Sequence, residues 1–367
     1  MLDETAGKPE DMSGNPIPVE VIFNPNWWFH YYGIRFGEEF YFDREQRIRN
    51  DLMMGRALRE RFGLGAGCGE PRPVLGSQYV AGGFVVPALL GVEIRFSDNQ
   101  APWPVPRSLS RNEALALSPP EIETTWPMSH LAEDAEWLQR QFGSVVGDLN
   151  TDGMLNTALQ LRGQQFFLDL VEDEELAAHL CSVIVETQAR VAEFLRQRTG
   201  TCSVAVNRSI LHVDPAIYLH ANCSNQMLSP ELYRRRLLAL ECRLAKRLQP
   251  FGIHHCGGNL HKFASLYAET GAVFYDVGWG SDAAQCSRAL PDAFLNLRLS
   301  PFRMLRCRAD EIRADAERLL LAANRATQVG LCCINMDYGT PDENVLALLE
   351  AAGKGAEQSN GQTVANL

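Results

Sequence analysis

From about residue 140 onwards, short apolar runs alternate with longer segments whose apolar residues recur at helical spacing. A continuous apolar run is typical of a buried strand, and apolar residues on one helical face are typical of a packed helix. Strands are predicted at 144–149, 216–221, 252–256, 272–277, 294–299 and 330–336, with less regular ones at 18–24 and 79–86. Helices are predicted at 173–196, 229–248, 261–269, 282–290 and 310–327, and a last one opens at Thr340-Pro341.

This alternation indicates the fold class. Strands separated by helices form parallel β-α-β units, and so many consecutive units build a closed barrel or an open doubly wound sheet. The sequence lacks Gly-x-Gly-x-x-Gly after any strand and lacks a Walker A loop, which removes the commonest reason to prefer the open sheet. We therefore predict an α/β protein, a (β/α)8 TIM barrel with an N-terminal extension, which suits 367 residues. We expect a flexible lead at 1–17, one barrel domain at 18–356 and a flexible tail at 357–367.

Composition and charge narrow the class of protein. Apolar residues make up 46% and charged residues 22% of the chain, and its net charge is -11, so a nucleic-acid binder is not expected. The sequence has no apolar stretch long enough to span a membrane, and its polar first residues do not form a signal peptide. We expect a cytoplasmic protein, in which the ten cysteines are thiols or metal ligands rather than disulfides.

The end of the strand at 252–256 carries the clearest candidate chemistry. His254 and Cys256 are two residues apart on a strand, so they face the same way, at the end where barrel enzymes place their functional groups. The adjacent pair Cys332-Cys333 ends the last predicted strand. One His nitrogen and two Cys sulfurs would hold zinc with a fourth position open for a substrate thiol, as catalytic zinc sites do. The alternative is that these residues are small core residues and a satisfied core histidine.

Further polar and aromatic residues follow other strands, and each has a structural alternative. Asp148, Asn150 and Asp152 would meet a polar substrate or form an Asx-type turn. Asp276 and Trp279 would line the pocket, or Asp276 would cap the next loop. Tyr338 lies just past the cysteine pair and would contact substrate. An aromatic segment would form a lid, a docking surface or a hydrophobic plug, and contains Trp27, Trp28, His30 and Tyr31.

Five segments of the chain form an ordered set of motifs. They are 147–163 (GDLNTDGMLNTALQLRG), 222–233 (NCSNQMLSPELY), 254–257 (HHCG), 275–278 (YDVG) and 339–345 (GTPDENV). Together they resemble the uroporphyrinogen-decarboxylase superfamily. The resemblance covers roughly residues 140–355, and it implies a barrel with the active site in its mouth. True decarboxylases of the superfamily carry an N-terminal motif of the type Arg-Gln-Ala-Gly-Arg-Tyr, whereas this chain has the nearly uncharged segment 24–33 (NPNWWFHYYG). The chain therefore resembles the zinc-dependent, corrinoid-linked methyltransferase branch.

The resemblance also implies roles for individual residues. The zinc motif of that branch is His-x-Cys with a distant Cys near the final Thr-Pro block, which His254, Cys256 and Cys333 match, with Cys332 as second choice. Residues predicted to act in catalysis are Asp276, Asn222 and Tyr338, and those predicted to bind substrate are Asn150, Asp152, Asn225, Trp279 and Trp27. Many relatives carry an acidic residue in place of Asn222 or Asn225, and an amide cannot serve as a general acid.

The expected activity is transfer of a methyl group between methylcobalamin, carried by a separate corrinoid protein, and a thiol or small methylated substrate. The chain itself lacks the cobalamin-binding pattern Asp-x-His-x-x-Gly. Two alternatives remain open, a metal-independent decarboxylase and a non-catalytic binding member. The sequence leaves open the direction of transfer and whether the chain forms a homodimer.

Overall fold

A computed structural model of the chain describes residues 17–64, 70–76, 83–147, 149–201, 214, 216–323 and 328–363, with the backbone alone for 354–363. Its strands within these ranges are β1 Val19–Phe23, β2 Ile94–Ser97, β3 Gln100–Pro104, β4 Tyr218–Ala221, β5 Phe251–His255, β6 Phe274–Val277, β7 Phe294–Arg298 and β8 Val329–Met336. Its helices are α1 Pro25–Tyr32, α2 Glu38–Phe42, α3 Arg44–Phe62, α4 Val85–Leu89, α5 Arg111–Ala116, α6 Met128–Phe142, α7 Met154–Arg162, α8 Gln165–Glu172, α9 Glu174–Thr199, α10 Pro230–Arg236, α11 Leu238–Arg247, α12 Leu260–Ala268, α13 Ala283–Ala289, α14 Pro301–Arg306, α15 Ala309–Ala322 and α16 Asp342–Thr363. Short 3-10 helices lie at Ile122–Thr124 and Ser224–Met227.

Six strands form one curled parallel sheet in the order β1-β8-β7-β6-β5-β4, and β2 and β3 form a separate antiparallel pair. The first strand pairs with the last, with Glu20 opposite Cys332, and this is the seam that a barrel requires. The described part of the chain therefore shows a half-barrel, a TIM-barrel-like arrangement with six of the eight parallel strands that the sequence predicts. An isolated parallel bridge joins Val74 to Val146 beyond the edge of this sheet.

Local sequence explains where the elements form. All five residues of β5 and all four of β6 are buried, as expected for parallel strands that are covered on both faces. Helix α10 begins at Pro230, and the Ser229 hydroxyl accepts a hydrogen bond from the Leu232 amide at 3.1 Å. Helix α9 begins after Asp173, whose carboxylate accepts from the Leu176 amide at 3.2 Å.

After residue 216 the structure confirms the predicted strands and most of the predicted helices, and it adds the short helix α14 at Pro301–Arg306, which was not predicted. The region 229–248 also differs from the prediction. There the predicted single helix is divided at Leu237 into α10 and α11. At 144–149 the structure has the bridge at Val146 in place of a strand, and at 83–86 it has a turn that leads into α4. Residues 79–82, Asp148 and the first sixteen residues of the lead predicted at 1–17 lie outside the described residues. Helix α16 extends to Thr363, into the segment predicted as a tail.

The two faces of the sheet have different environments. The outer face packs against helices in the main hydrophobic core, while the inner face holds two small apolar clusters around Phe274 and Phe294 and around Ile22 and Ile334. Polar side chains of the inner face therefore lie between these two apolar clusters. No helix in the described ranges is both long and apolar enough to cross a lipid bilayer.

Candidate metal centre

Parallel register brings three polar side chains into one row on the inner face. His254 on β5 pairs with Asp276 on β6, which pairs with Asn296 on β7. The next residue, His255, contacts Phe263 and Tyr267 of α12, so it faces the helices and His254 faces inward. The row lies near the carboxyl ends of the strands, the end at which barrel enzymes place their active sites.

His254 is held from one side and directed at two thiols on the other. Its Nδ1 lies 2.8 Å from Asp276 Oδ2, and its Nε2 lies 2.8 Å from Cys256 Sγ. Cys223, two residues after β4, places its Sγ 3.2 Å from Cys256 Sγ. The donor atoms of Cys223, His254 and Cys256 all lie within 4.8 Å of one another. Because the Asp276 carboxylate accepts the Nδ1 proton, Nε2 is the nitrogen left to bind a metal.

Fixed charges around Cys256 favour its thiolate. The bond from Cys223, the charge and bond of His254 and the charge of Arg298 together place the pKa of Cys256 well below its usual value, although burial acts in the opposite direction. The Arg298 guanidinium on β7 is 4% exposed, and its Nη1 lies 3.5 Å from Cys256 Sγ. Burial lowers the pKa of His254, but Cys256 and Asp276 raise it to about 9. These charges favour an imidazolium at His254 beside a thiolate at Cys256.

On the side away from His254, the Asp276 carboxylate is hydrogen-bonded to Asn296, which also contacts Glu20. Asn296 donates from Nδ2 to Asp276 Oδ1 at 2.8 Å and to Glu20 Oε2 at 3.3 Å. Burial raises the pKa of Asp276, but the bond and charge of His254, Arg298 and Asn296 lower it below its usual value overall. Asp276 is therefore a carboxylate that fixes the orientation of the imidazole.

The family model for uroporphyrinogen decarboxylase (URO-D) matches residues 80–354, three quarters of the chain. The chain belongs to the uroporphyrinogen decarboxylase family. In fold it is similar to a methyltransferase from Methanosarcina mazei, with a TM-score of 0.64 and 17% sequence identity over 94% of this chain and 96% of that one. A search of curated protein sequences returned no match. The family membership agrees with the resemblance that the five sequence segments show.

In this member of the uroporphyrinogen decarboxylase family, the third thiol near His254 is not one of the two that the sequence predicts. Cys332 faces inward with Ile22 and Ile334, whereas Cys333 faces the helices in the main core. Neither belongs to the group within 4.8 Å, whose third member is Cys223. Successive residues of a strand point to opposite faces, which is why Cys333, the first choice on spacing, is turned away from His254.

Asn222 and Asn225, predicted to act on or bind substrate, point away from the cluster. Both are buried beneath the helices. Asn222 donates from Nδ2 to Glu241 Oε1 at 2.7 Å, and Asn225 donates to the Tyr267 hydroxyl at 3.4 Å. Ala221 takes the inward position on β4, so Asn222 takes the outward one. The two amides therefore support the loop that carries Cys223 rather than meet a substrate.

Glu241, the partner of Asn222, is expected to make stability fall as pH rises. It is fully buried and also accepts from the Tyr233 hydroxyl at 2.8 Å, and burial raises its pKa from 4.5 to about 7. Between these values the folded state retains a proton that the unfolded chain has lost, so ionisation costs folding free energy. We expect wild type to lose roughly 3 kcal/mol relative to Glu241→Gln between about pH 4.5 and pH 7.

Urea unfolding at several pH values measures this difference. Glu231→Gln, which alters an exposed glutamate of α10, is the control and should follow the wild-type pH dependence. Parallel stability curves for wild type and Glu241→Gln would contradict the prediction.

The residues predicted after the strand at 144–149 form a turn next to the cluster. Asn150 Oδ1 accepts from the Asp152 amide at 2.8 Å, which is the Asx-type turn that the sequence left as an alternative. The Asp152 carboxylate accepts from Asn156 at 2.7 Å and Gln160 at 3.0 Å. Burial above all, and the nearby Cys256 as a lesser cause, raise the pKa of Asp152. Asp152 is thus near enough to the thiols to sense their charge, and its role in binding substrate stays a prediction.

The predicted aromatic residues have different environments. Trp27 is fully buried and stacks on Phe23 at 4.0 Å, so it belongs to a hydrophobic plug and not to a substrate surface. Trp279 is 42% exposed and lies 6.2 Å from the Phe302 ring. Tyr338 is 49% exposed and stacks on His30 at 5.0 Å. Trp279 follows the carboxyl end of β6, and Tyr338 follows the carboxyl end of β8. Both side chains are therefore placed where they can contact a substrate.

Cys223 and Arg298 are the site residues that sequence reasoning missed. Cys223 is two residues past Ala221, and Cys256 is two residues past His254, the residue with which Ala221 pairs. Aligning the carboxyl ends of neighbouring parallel strands would have revealed this correspondence. Arg298 ends β7 on the inward face, and the available signal was a charged residue at the end of a buried strand, two positions after the polar Asn296.

If the cluster holds a metal ion such as zinc, Asp276→Asn is expected to weaken its binding about 10- to 100-fold, the usual effect of removing the carboxylate behind a metal-ligating histidine. The amide can still accept from His254 Nδ1, but it lacks the charge that makes the imidazole a better ligand. Competition with a chromophoric chelator measures the affinity. Asp292→Asn removes the same charge from an exposed position and should leave the affinity unchanged; equal affinities for both variants would contradict a role for Asp276.

Proposed function

We propose that this chain is a zinc-dependent methyltransferase that moves a methyl group between a corrinoid, carried by a partner protein, and a thiol or small methylated substrate. The observation that supports it best is the geometry of His254, which Asp276 orients through Nδ1 at 2.8 Å while Nε2 faces the two thiols. The family membership and the fold shared with an archaeal methyltransferase are consistent with this proposal.

The donor set fits zinc in number and kind. Tetrahedral bonds of about 2.0–2.3 Å place zinc ligands within about 4 Å of one another, and the three donor atoms already lie within 4.8 Å. Three protein ligands are typical of catalytic zinc sites, which keep one position for substrate. Cys223 and Cys256 are half-buried, so a substrate can reach the sulfur side of the cluster.

When bound there, zinc would hold a substrate thiol as its thiolate near neutral pH. A free thiol is only a few per cent ionised at pH 7, so full ionisation would give roughly 30-fold, or about 2 kcal/mol. The protein itself fixes the imidazole through Asp276 and balances sulfur charge with Arg298. The rest of the acceleration would come from holding the methyl donor in line with the sulfur.

The decisive experiment is thiol-dependent demethylation of free methylcobalamin, followed by absorbance. We expect turnover that is lost after treatment with a strong chelator and restored by zinc. Turnover of a carboxylate substrate that survives the chelator would instead support the decarboxylase alternative, for which the name of the family is the supporting observation. Zinc binding without methyl transfer to any thiol would support a non-catalytic member.

The third ligand is tested by three serine variants. If Cys223 binds zinc, Cys223→Ser should lower zinc affinity at least tenfold, because an alcohol is a poor ligand for zinc compared with a thiolate. Cys333→Ser, which alters a helix-facing thiol, should keep wild-type affinity. Cys332→Ser distinguishes the remaining candidate: loss of zinc in this variant with normal binding in Cys223→Ser would assign the site to Cys332.

A further inference from the structure

Cys223 and Cys256 occupy equivalent positions just past the ends of the neighbouring strands β4 and β5. Ala221 pairs with His254 in parallel register, and each cysteine follows its strand residue by two positions. The Asn222 backbone amide donates to the His254 carbonyl oxygen at 2.7 Å, so the parallel pairing continues one residue beyond Ala221. The two sulfurs face each other at 3.2 Å, and both residues are half-buried.

We propose that Cys223 and Cys256 form a peroxide-sensitive thiol pair, whose reversible oxidation to a disulfide removes two of the three donor groups of the metal centre. This inference goes beyond the proposed function, because formation of the disulfide requires neither zinc nor methyl transfer. Its consequence for metal binding does rest on the proposed function.

The backbone geometry is compatible with a disulfide. Ala221 and His254, each two residues before a cysteine, pair on neighbouring strands, which lie about 4.8 Å apart, and disulfides span about 4.4–6.8 Å between Cα atoms. The sulfurs must close from 3.2 Å to about 2.05 Å. Both cysteines lie just beyond their strands, Cys223 immediately before the 3-10 helix Ser224–Met227, so this closure does not require the sheet to move.

The chemistry balances with one peroxide per pair. The Cys256 sulfur, which faces the Arg298 guanidinium at 3.5 Å, attacks a peroxide oxygen, breaks the O–O bond and becomes a sulfenic acid, with release of water. The Cys223 sulfur then attacks the sulfenic sulfur, a second water leaves, and the S–S bond forms. Two thiols and hydrogen peroxide thus give one disulfide and two waters, and an external thiol reverses the change.

Other cysteines in the described ranges provide internal controls. Cys181, Cys286, Cys332 and Cys333 are buried, so peroxide reaches them poorly. Cys242 and Cys307 are half-buried like Cys223 and Cys256. Their oxidation shows how readily peroxide attacks a half-buried cysteine that is not part of the pair. A preference for Cys223 and Cys256 over these two would therefore reflect the geometry of the pair. Cys68 and Cys202 lie outside the described residues, so cross-links must be assigned by peptide mapping.

The test uses metal-free full-length protein titrated with hydrogen peroxide and mapped by mass spectrometry without reduction. We expect a cross-link between Cys223 and Cys256 to reach completion near one equivalent, before Cys242 or Cys307 is oxidised, and to disappear with dithiothreitol. Cys242→Ser should behave like wild type. In Cys223→Ser the cross-link should be absent, and dimedone should trap Cys256 as a sulfenic acid. Pairing of Cys256 with another cysteine, or oxidation of Cys242 or Cys307 first, would overturn the inference.

A second arm separates this inference from the proposed function. Zinc-loaded protein is oxidised in the presence of a chromophoric zinc chelator, and one zinc should be released per disulfide formed. If the disulfide forms but the protein binds no zinc, the metal centre is refuted and the thiol-pair inference stands. Zinc binding with no disulfide at any peroxide concentration would refute the thiol pair and leave the metal centre intact.

Discussion

Cys256→Ser is expected to abolish stoichiometric zinc binding and to lower methyl transfer by more than about 100-fold. Loss of a partner behind a ligand typically costs 10- to 100-fold in metal affinity, and loss of the ligand itself should cost more. Cys256 is the central donor of the cluster, because its sulfur contacts both His254 Nε2 at 2.8 Å and Cys223 Sγ at 3.2 Å. The hydroxyl of serine does not ionise near neutral pH and cannot replace the thiolate.

Zinc content is measured on purified protein by elemental analysis, and transfer is measured with methylcobalamin and a thiol. Cys242→Ser is the matched control, since it makes the same change at a half-buried cysteine in α11. Equal zinc in Cys256→Ser and wild type would remove the proposed mechanism and leave a barrel without an assigned metal.

Gly278→Ala is expected to disrupt the same site through the backbone. An alanine Cβ at this position, just past β6, would lie 2.5 Å from the Cys256 carbonyl oxygen and closer still to those of His255 and Gly257. Real Cβ contacts are longer than this, so the turn that carries Cys256 would have to shift. We expect a loss of about 3 kcal/mol or more in the free energy of unfolding, together with weaker zinc binding.

Gly143→Ala provides the control for this prediction. Gly143 ends α6 with a positive φ of 74° and has open space where a Cβ would be added. Gly143→Ala should lower the free energy of unfolding by only about 1 kcal/mol, through backbone strain, and should leave zinc affinity unchanged. Urea unfolding and chelator competition on both variants give the comparison. If Gly278→Ala is no less stable than Gly143→Ala, the packing of β6 against the Cys256 turn is not as described.

The inner-face charges explain why Cys256 in particular is expected to be reactive. Arg298 is buried, and burial alone would lower its pKa. The charges of Cys256 and Asp276 act against burial, so the pKa of Arg298 is raised overall and it remains a guanidinium. A buried cation that faces an anionic sulfur offsets the cost of desolvating that sulfur. Cys333 instead faces the helices, and burial raises the pKa of its thiol to about 12.

Several parts of the fold follow directly from local sequence. The mainly apolar runs at 252–256, 272–277 and 294–299 predicted β5, β6 and β7, because a strand buried on both faces is rich in apolar residues. Ser229 and Pro230 marked the start of α10 through capping chemistry that depends on a few adjacent residues. The antiparallel pair β2 and β3 was not predicted, since its exposed strands carry no continuous apolar run.

Sequence by itself determined the α/β class with its parallel strands, the positions of the later strands and the inward direction that His254 and Cys256 share. These depend on composition and on the two-residue period of a strand. Only the tertiary structure decided that Cys223 joins them, that Cys333 faces the helices and that Asn222 binds Glu241. Each of these depends on the register between strands that are distant in sequence, and a shift of one residue would turn every one of these side chains to the opposite face.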